Sequence, residues 1–278
     1  MAGKRERKRR RPPLLLRLLR GILALALLGG ALAFYACKIE PRWIQTTELE
    51  VTAPIEGSLR IVAFGDTHIG MGKDQAEMRD LVGRINAIEP DAVFFLGDLF
   101  DNYAAYTGDV EANLAILAGI EAEYKYAVRG NHDVGGGAEF VYPELIAQAG
   151  FTLLENTDAR LPCGLHIIGA ADYIYHTPNL EGLTGEGFDL LLAHEPDLAD
   201  AVSGVELQLS GHSHGGQVYL PFLVQEFLPG GAQNYIRGRY EKADGGIVYV
   251  NRGIGMSMLP VRLFSRPEIT ILTIHGEE

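Results

Sequence analysis

Gly211-His212-Ser213-His214-Gly215-Gly216-Gln217 follows directly on the apolar run 205–209. On an extended chain, residues two apart point the same way, so His212 and His214 can reach one small space together. Imidazole is a common ligand for borderline metals. The flanking glycines let the backbone turn tightly and let another group approach closely. Alone, the stretch reads equally well as a polar turn at a strand end. Four further segments decide between the two readings.

Each of those segments is a short apolar run that ends in a polar cluster. Residues 59–64 run into Gly65-Asp66-Thr67-His68, and 91–96 into Gly97-Asp98-Leu99-Phe100-Asp101-Asn102. Residues 124–128 run into Gly130-Asn131-His132-Asp133, and 188–192 into Ala193-His194-Glu195. Helical stretches lie between them. In 74–88, Met78, Leu81, Val82, Ile85 and Ile88 recur at helical spacing behind Asp74 as N-cap. Further helices are expected at 109–123, at 142–149 with Gly150 as its stop, and at 197–202. Other β runs fall at 151–154, 165–169, 218–220, 246–251, 261–264 and 268–275. Strand, polar loop and helix in repetition build an α/β fold, with parallel or mixed sheets covered by helices. Sites in such sheets gather at the carboxyl ends of strands, where all five polar clusters fall.

The clusters supply Asp66, His68, Asp98, Asn131, His194, His212 and His214. These are oxygen and imidazole donors without a thiolate, a set that suits Mn²⁺, Fe, Zn²⁺ or Co²⁺ and is too rich in nitrogen for Ca²⁺. They are too many for one tetrahedral zinc, and enough for two metals if a carboxylate bridges. Two metals about 3.5–4 Å apart stabilise both the attacking and the leaving oxygen of a phosphoryl displacement. A water acidified by such metals is the expected nucleophile.

Taken in order, the motifs at 65–68, 97–101, 130–133, 194 and 211–214 resemble those of the calcineurin-like metallophosphoesterases. The likeness covers about residues 59–275. The later stretches 215–217, 235–238, 251–255 and 266–269 look like the membrane-anchored or exported bacterial phosphodiesterase branch. The resemblance implies a four-layer α/β/β/α sandwich with two divalent transition metals between the sheets, Mn²⁺ first and Fe or Zn as alternatives. It assigns Asp66, His68 and His214 to one metal, Asn131, His194 and His212 to the other, and Asp98 to the bridge. His132 would face the substrate, with Asp101 orienting it through the other ring nitrogen. Many phosphatases of the wider family carry an arginine directly after the Asp101 position, whereas this chain has Asn102. That lowers the expectation for phosphomonoester dianions, which gain most from such a clamp. Arg252 and Arg129 are the cations that could replace it.

The N-terminus carries a different signal. The chain has net charge −12, yet its first twenty residues hold nine Lys or Arg against Glu6, leaving −20 for the remainder. An acidic body is a poor surface for nucleic acid, so none is expected as a partner. Residues 21–37 contain no charge, and 14–19 extend the apolar stretch upstream with Arg17 and Arg20 able to snorkel. Expected are a basic cytoplasmic segment 1–20, a transmembrane signal anchor 21–37, a linker 38–57 running into a strand near 49–52, and a catalytic domain 58–278. The positive-inside rule places that domain outside the cytoplasm, on a single-pass cell-membrane protein. A cleaved signal peptide is the competing reading, since Ala31-Leu32-Ala33 resembles a cleavage site; bulky Phe34 and Tyr35 disfavour a lipoprotein signal before Cys37. Two cysteines, Cys37 and Cys163, make no disulfide framework.

Outside the motifs the expectations are modest. His166, inside a β run, reads as a packed core histidine, and His275 as surface. Asp172 and His176 lie in a loop that could overhang the site. Tyr235, Arg237 and Arg239 read as a solvated loop. The stretch 222–228 is apolar for a loop and could face lipid or receive an acyl chain. The function expected from all of this is metal-dependent hydrolysis of a phosphodiester or pyrophosphate, small or lipid-borne, at a membrane surface. The alternatives are an exported general phosphatase and an inert, membrane-tethered metal-binding module. The sequence is silent on oligomeric state.

Overall fold

A computed structural model describes residues 13–185 and 187–277. The cations of 4–11 therefore lie outside the described residues. Two six-stranded sheets face each other. The first runs β1 (Gln45–Ala53), β12 (Glu268–Gly276), β2 (Ser58–Phe64), β3 (Ala92–Phe95), β4 (Tyr124–Ala127), β5 (Thr152–Leu153). The second runs β10 (Gly238–Glu241), β11 (Ile247–Val250), β9 (Leu207–Ser210), β8 (Asp189–Leu192), β7 (His166–Gly169), β6 (Thr157–Arg160). In the middle of each sheet the strands are parallel: β2, β3 and β4 in one, β7, β8, β9 and β11 in the other. Their carboxyl ends therefore open on a common side, where the polar clusters sit.

Burial follows the alternation of each strand. Ile61, Ala63, Phe94 and Leu96 meet Ile167, Leu190, Leu192, Leu207 and Leu209 to form the core between the sheets. The opposite side chains of the first sheet, Val62, Phe64, Val93 and Phe95, pack under α2 (Gln75–Asn86), α3 (Val110–Ala118) and α4 (Tyr142–Gln148). Helix α2 starts at Asp74 in a reciprocal capping box with Glu77. The outer layer of the second sheet is thin: Ile168, Leu191 and Ala193 lie under Leu198, on the 3₁₀ turn Pro196–Asp200, and under Leu180 and Leu183. The helix expected at 197–202 is this turn.

Other expectations shift at the edges. Runs 218–220 and 261–264 meet only in a single bridge, Val218 to Leu263. Strands β6 and β10 are polar edge strands whose sequence carries no apolar run. Cys37 and Cys163 are free thiols.

The stretch 38–57 contains the strand expected near 49–52, but that strand is longer and leaves little free linker before it. Helix α1 (Leu14–Phe34) is followed by a π turn Tyr35–Ile39 and a 3₁₀ turn Glu40–Arg42, and then enters β1. Leu49, Val51 and Ala53 alternate inward against β12, so the sheet gains a nine-residue parallel edge strand before the expected boundary at 58. The 29-residue unit Leu14–Arg42 contains an 18-residue window of mean hydropathy 2.0 and is long and apolar enough to cross a membrane. None of the α1 residues is buried against the protein. Its far end is bolted to the domain: Arg262 N donates to Ala36 O (3.0 Å), Ser265 N to the buried Glu40 Oε1 (2.6 Å), and Lys73 Nζ to Pro41 O (2.9 Å).

Candidate metal centre

The five strand ends turn sharply, and the side chains of the clusters converge because of it. Asp66, His68, Asp98, His212 and His214 all have positive φ, between 42° and 68°, a region costly for residues with a Cβ. Such strain persists only where surrounding contacts over-determine it, and it gathers at functional sites. Two glycines show the closeness of the approach. A Cβ on Gly97 would stand 2.7 Å from Gly130 N and 2.8 Å from His194 Nδ1; one on Gly211 would stand 2.5 Å from Asp66 Oδ2.

Three groups of ligating side chains meet here: Asp66, His68 and His214; Asp98, His194 and His212; and His68, Asp98 and His132. In the first, His68 Nε2 and His214 Nε2 face each other at 3.0 Å, and Asp66 Oδ1 lies 3.7 Å from His214 Nε2. Two nitrogens at that distance are joined by one proton or by one cation, never by two protons. In the second, Asn131 Oδ1 stands 3.2 Å from His194 Nε2. Asp98 Oδ2 lies between the groups, 3.1 Å from His194 Nε2 and 3.5 Å from His68 Nε2. The structure thus brings all seven sequence-expected metal residues together.

The ring nitrogens turned away from the centre are held by the protein. His194 Nδ1 meets Leu96 O at 2.6 Å, His212 Nε2 meets Gly230 O at 2.8 Å, and His68 Nδ1 meets Asp101 Oδ1 at 3.2 Å. Such contacts fix the tautomer and leave the other nitrogen free for a metal. His132 Nδ1 meets the backbone carbonyl of Asp101 at 2.7 Å, and the Asp101 carboxylate is 3.8 Å away. The orientation expected from that carboxylate therefore goes to His68, while the Asp101 main chain orients His132. His132 Nε2 points out toward Ser257 Oγ, 3.4 Å away.

Protonation favours ligation at Asp98, His212 and His214; His194 runs the other way, since against its burial the charge and hydrogen bond of Asp98 hold it well above an ordinary imidazole. Asp66 Oδ2 is a buried oxygen without a hydrogen-bond partner. Burial pushes the Asp66 carboxyl up. For Asp98 burial acts in the same direction but is outweighed by His194, through charge and hydrogen bond, and by His68 and His132, which leaves it well below the usual range. Burial drives His212 down to about 4 and, with the charge of His68, holds His214 well below an ordinary imidazole. Neutral imidazole is the ligating form.

Several supporting residues have no role assigned from the sequence, Asp133 inside the 130–133 motif and Arg262 outside every motif. Asp133 is buried and spans the back of the site, accepting from Gly130 N and Asp98 N through Oδ2 and from Leu99 N through Oδ1, each at 2.9 Å. Burial and then the Asp98 charge push its carboxyl up to about 7. Arg262, completely buried, donates to the carbonyls of Arg252, Gly255 and Ser265 and lies 3.3 Å from His214 Nδ1. A charge-assisted backbone hub of this kind has no sequence pattern. Asp172 is buried and accepts from Tyr175 N, and its loop reaches Glu195, beside His194, through Tyr173 N; His176 Nε2 lies 3.4 Å from Glu139 Oε1. His166 is a packed histidine between Asp189 (2.7 Å) and Asp158 (2.8 Å). Neither cation considered for a phosphate clamp is free: Arg252 is paired with Glu268, and Arg129 with Glu155.

Asp133→Asn places an amide donor against backbone donors. The expected outcome is a loss of about 1–3 kcal/mol in unfolding free energy, the scale of a buried polar group left unsatisfied, together with weaker metal retention. Unchanged denaturation and metal content would contradict the role of Asp133 as the cradle of Asp98.

Comparison with known proteins agrees with this geometry. The model of the calcineurin-like phosphoesterase family matches residues 59–216. The chain is 35% identical over 264 residues to an uncharacterized metallophosphoesterase, YkuE, of Bacillus subtilis (strain 168), covering 90% of this chain and 92% of that protein. It is 32% identical over 276 residues to an uncharacterized metallophosphoesterase of Aquifex aeolicus (strain VF5), covering 91% and 98%. It is 30% identical over 265 residues to a transmembrane protein with metallophosphoesterase domain of Bos taurus, covering 85% of this chain and 58% of that protein. The chain belongs to the calcineurin-like phosphoesterase family, metal-dependent hydrolases of phosphoric esters.

Proposed function

We propose that the centre holds two divalent transition metals, Mn²⁺ first among Mn, Fe and Zn, and hydrolyses phosphodiester or pyrophosphate bonds at a membrane surface. The position of Asp98 Oδ2, shared between His68 and His194, carries the reading. Asp66, His68 and His214 would hold one ion, and Asn131, His194 and His212 the other, with Asp98 common to both. When bound, such a pair acidifies water and neutralises phosphoryl charge.

The chain's own residues supply the rest. The imidazoles of His212 and His214, kept neutral by burial, are ready to ligate without first losing a proton. His132 lies beside the centre with Nδ1 tied to Asp101 O, so Nε2 is the atom presented to a substrate. Burial alone would lower its basicity, but the charge of Asp98 and the Asp101 carbonyl outweigh it, so the ring holds a proton more firmly than a free histidine. That suits donation to a leaving oxygen. The pairing of Arg129 and Arg252 with acids supports a diester or pyrophosphate over a monoester dianion. The substrate, small or lipid-borne, is read here from the nearness of the apolar helix.

Removing metal with a chelator should abolish hydrolysis, and restored activity should accompany about two transition metals per chain. His132→Ala should keep that metal content and lower turnover roughly 10²–10⁴-fold, the scale of a proton-transfer group. Bis-(p-nitrophenyl) phosphate should be preferred to p-nitrophenyl phosphate. Clear preference for the monoester would leave the metal chemistry standing and point to a general phosphatase. Metal bound without turnover on any of these esters would favour the inert tethered module.

We further infer that α1 is an uncleaved anchor and that the catalytic domain lies outside the cytoplasm. The apolar unit Leu14–Arg42 and the basic residues before it support this. Protease added to intact cells should remove the domain; complete protection would reverse the orientation.

A further inference from the structure

The mount of α1 sits within one residue of the metal centre. Arg262 donates its backbone N–H to Ala36 O (3.0 Å), and its side chain lies 3.3 Å from His214 Nδ1. The segment 256–265 is therefore fixed both to the end of the apolar helix and to a metal ligand. It is tied in turn to the segment 217–219: Gln217 Nε2 donates to Ser257 O and Leu259 O, and Tyr219 N to Leu263 O. Ser257 also touches His132. These two segments form the part of the centre's rim that adjoins α1.

Apolar side chains stand in solvent on 256–265 and on 222–227, the stretch that follows 217–219: Phe222 is 98% exposed, Met258 87%, Phe227 80%, Leu259 63% and Phe264 58%. Large apolar groups left in water are costly, and several on linked segments mark an interaction surface. Basic and aromatic groups border it. The Arg237 guanidinium lies 3.5 Å over the Tyr219 ring and donates to Phe264 O, and Arg266 lies 3.6 Å over Trp43, at the end of the apolar unit. Arginine and aromatic rings beside apolar side chains suit the headgroup region of a bilayer.

We propose that this rim docks into the lipid interface, so that the metal centre opens onto the membrane and takes its phosphoester from the headgroup layer. Continuity with α1 selects lipid as the occupant: a helix that crosses the bilayer holds segment 256–265 at the surface it leaves. The proposal rests on the reading of α1 as an anchor. It gives the 222–228 stretch a definite neighbour and leaves His132 facing the headgroups.

The test uses the full chain in liposomes. The protein has one tryptophan, so Trp43→Phe gives a silent background for Phe222→Trp and, separately, Met258→Trp. Glu121→Trp, exposed before the amino end of β4 and away from the centre, is the control. Interfacial apolar groups sink about 5–10 Å, so brominated lipid should quench both rim tryptophans and added iodide should not. The control should respond to iodide alone. Vesicle-bound protein whose rim tryptophans respond to iodide and not to bromolipid would overturn docking while the anchor stands. Protection from both quenchers would put a second copy of the chain over the rim and would also overturn it. Failure of the chain to stay with the vesicles would refute the anchor, and docking with it, without touching the metal chemistry.

Discussion

Everything in the centre depends on keeping the Asp98 carboxylate ionised where water does not reach it. A buried charge is tolerated only when paired and hydrogen-bonded. Asp98 accepts His132 N through Oδ1 at 2.8 Å and turns Oδ2 to His194 and His68. Asp133 fixes the backbone on either side of it through the amides of Asp98 and Leu99. The left-handed backbone at the ligand positions and the glycines pressed against Asp66 and His194 follow from the same demand. Five strand ends must crowd imidazoles and carboxylates into one volume, and each local strain is held by a contact from a different strand.

The helix is part of this arrangement. An apolar segment linked by a loose tether would leave the orientation of the centre open. Here the turn after α1 is bonded through Ala36, Glu40 and Pro41, and Arg262 joins that turn to the backbone around the ligands. Arg262 is buried and burial lowers its pKa to about 9, with Asp66 the first of the charges that resist the fall. The apolar helix and the metal centre thus share one residue, Arg262, whose backbone nitrogen holds Ala36 O and whose guanidinium holds the backbone around His214, which makes the relation of α1 to the cleft a property of the fold.

Much of this was legible in the sequence because strand ends carry a local signature. An apolar run followed by Gly-Asp, Gly-Asn, Gly-His or, at His194, Ala-His marks both the sheet and its site, and the seven residues proposed as metal ligands came from that pattern. What escaped was non-local. The alternation of Leu49, Val51 and Ala53 marks a strand near 49–52, but its start at Gln45 rests on the edge that β12 offers. β6 and β10 are edge strands without an apolar run. Asp101 illustrates the limit at the site: its place in the motif is plain, but whether its carboxylate or its carbonyl reaches His132 depends on the turn of the backbone. Arg262 and Asp133 act on main-chain groups, and no spacing of side chains announces that.

The central claim is that Asp98 is shared by two metals. Anomalous diffraction at the metal absorption edge, from crystals of the manganese-loaded chain, tests it most directly. The account predicts two peaks about 3.5–4 Å apart, one by Asp66, His68 and His214, the other by Asn131, His194 and His212, with Asp98 between them. A single peak, or two that Asp98 does not separate, would contradict it.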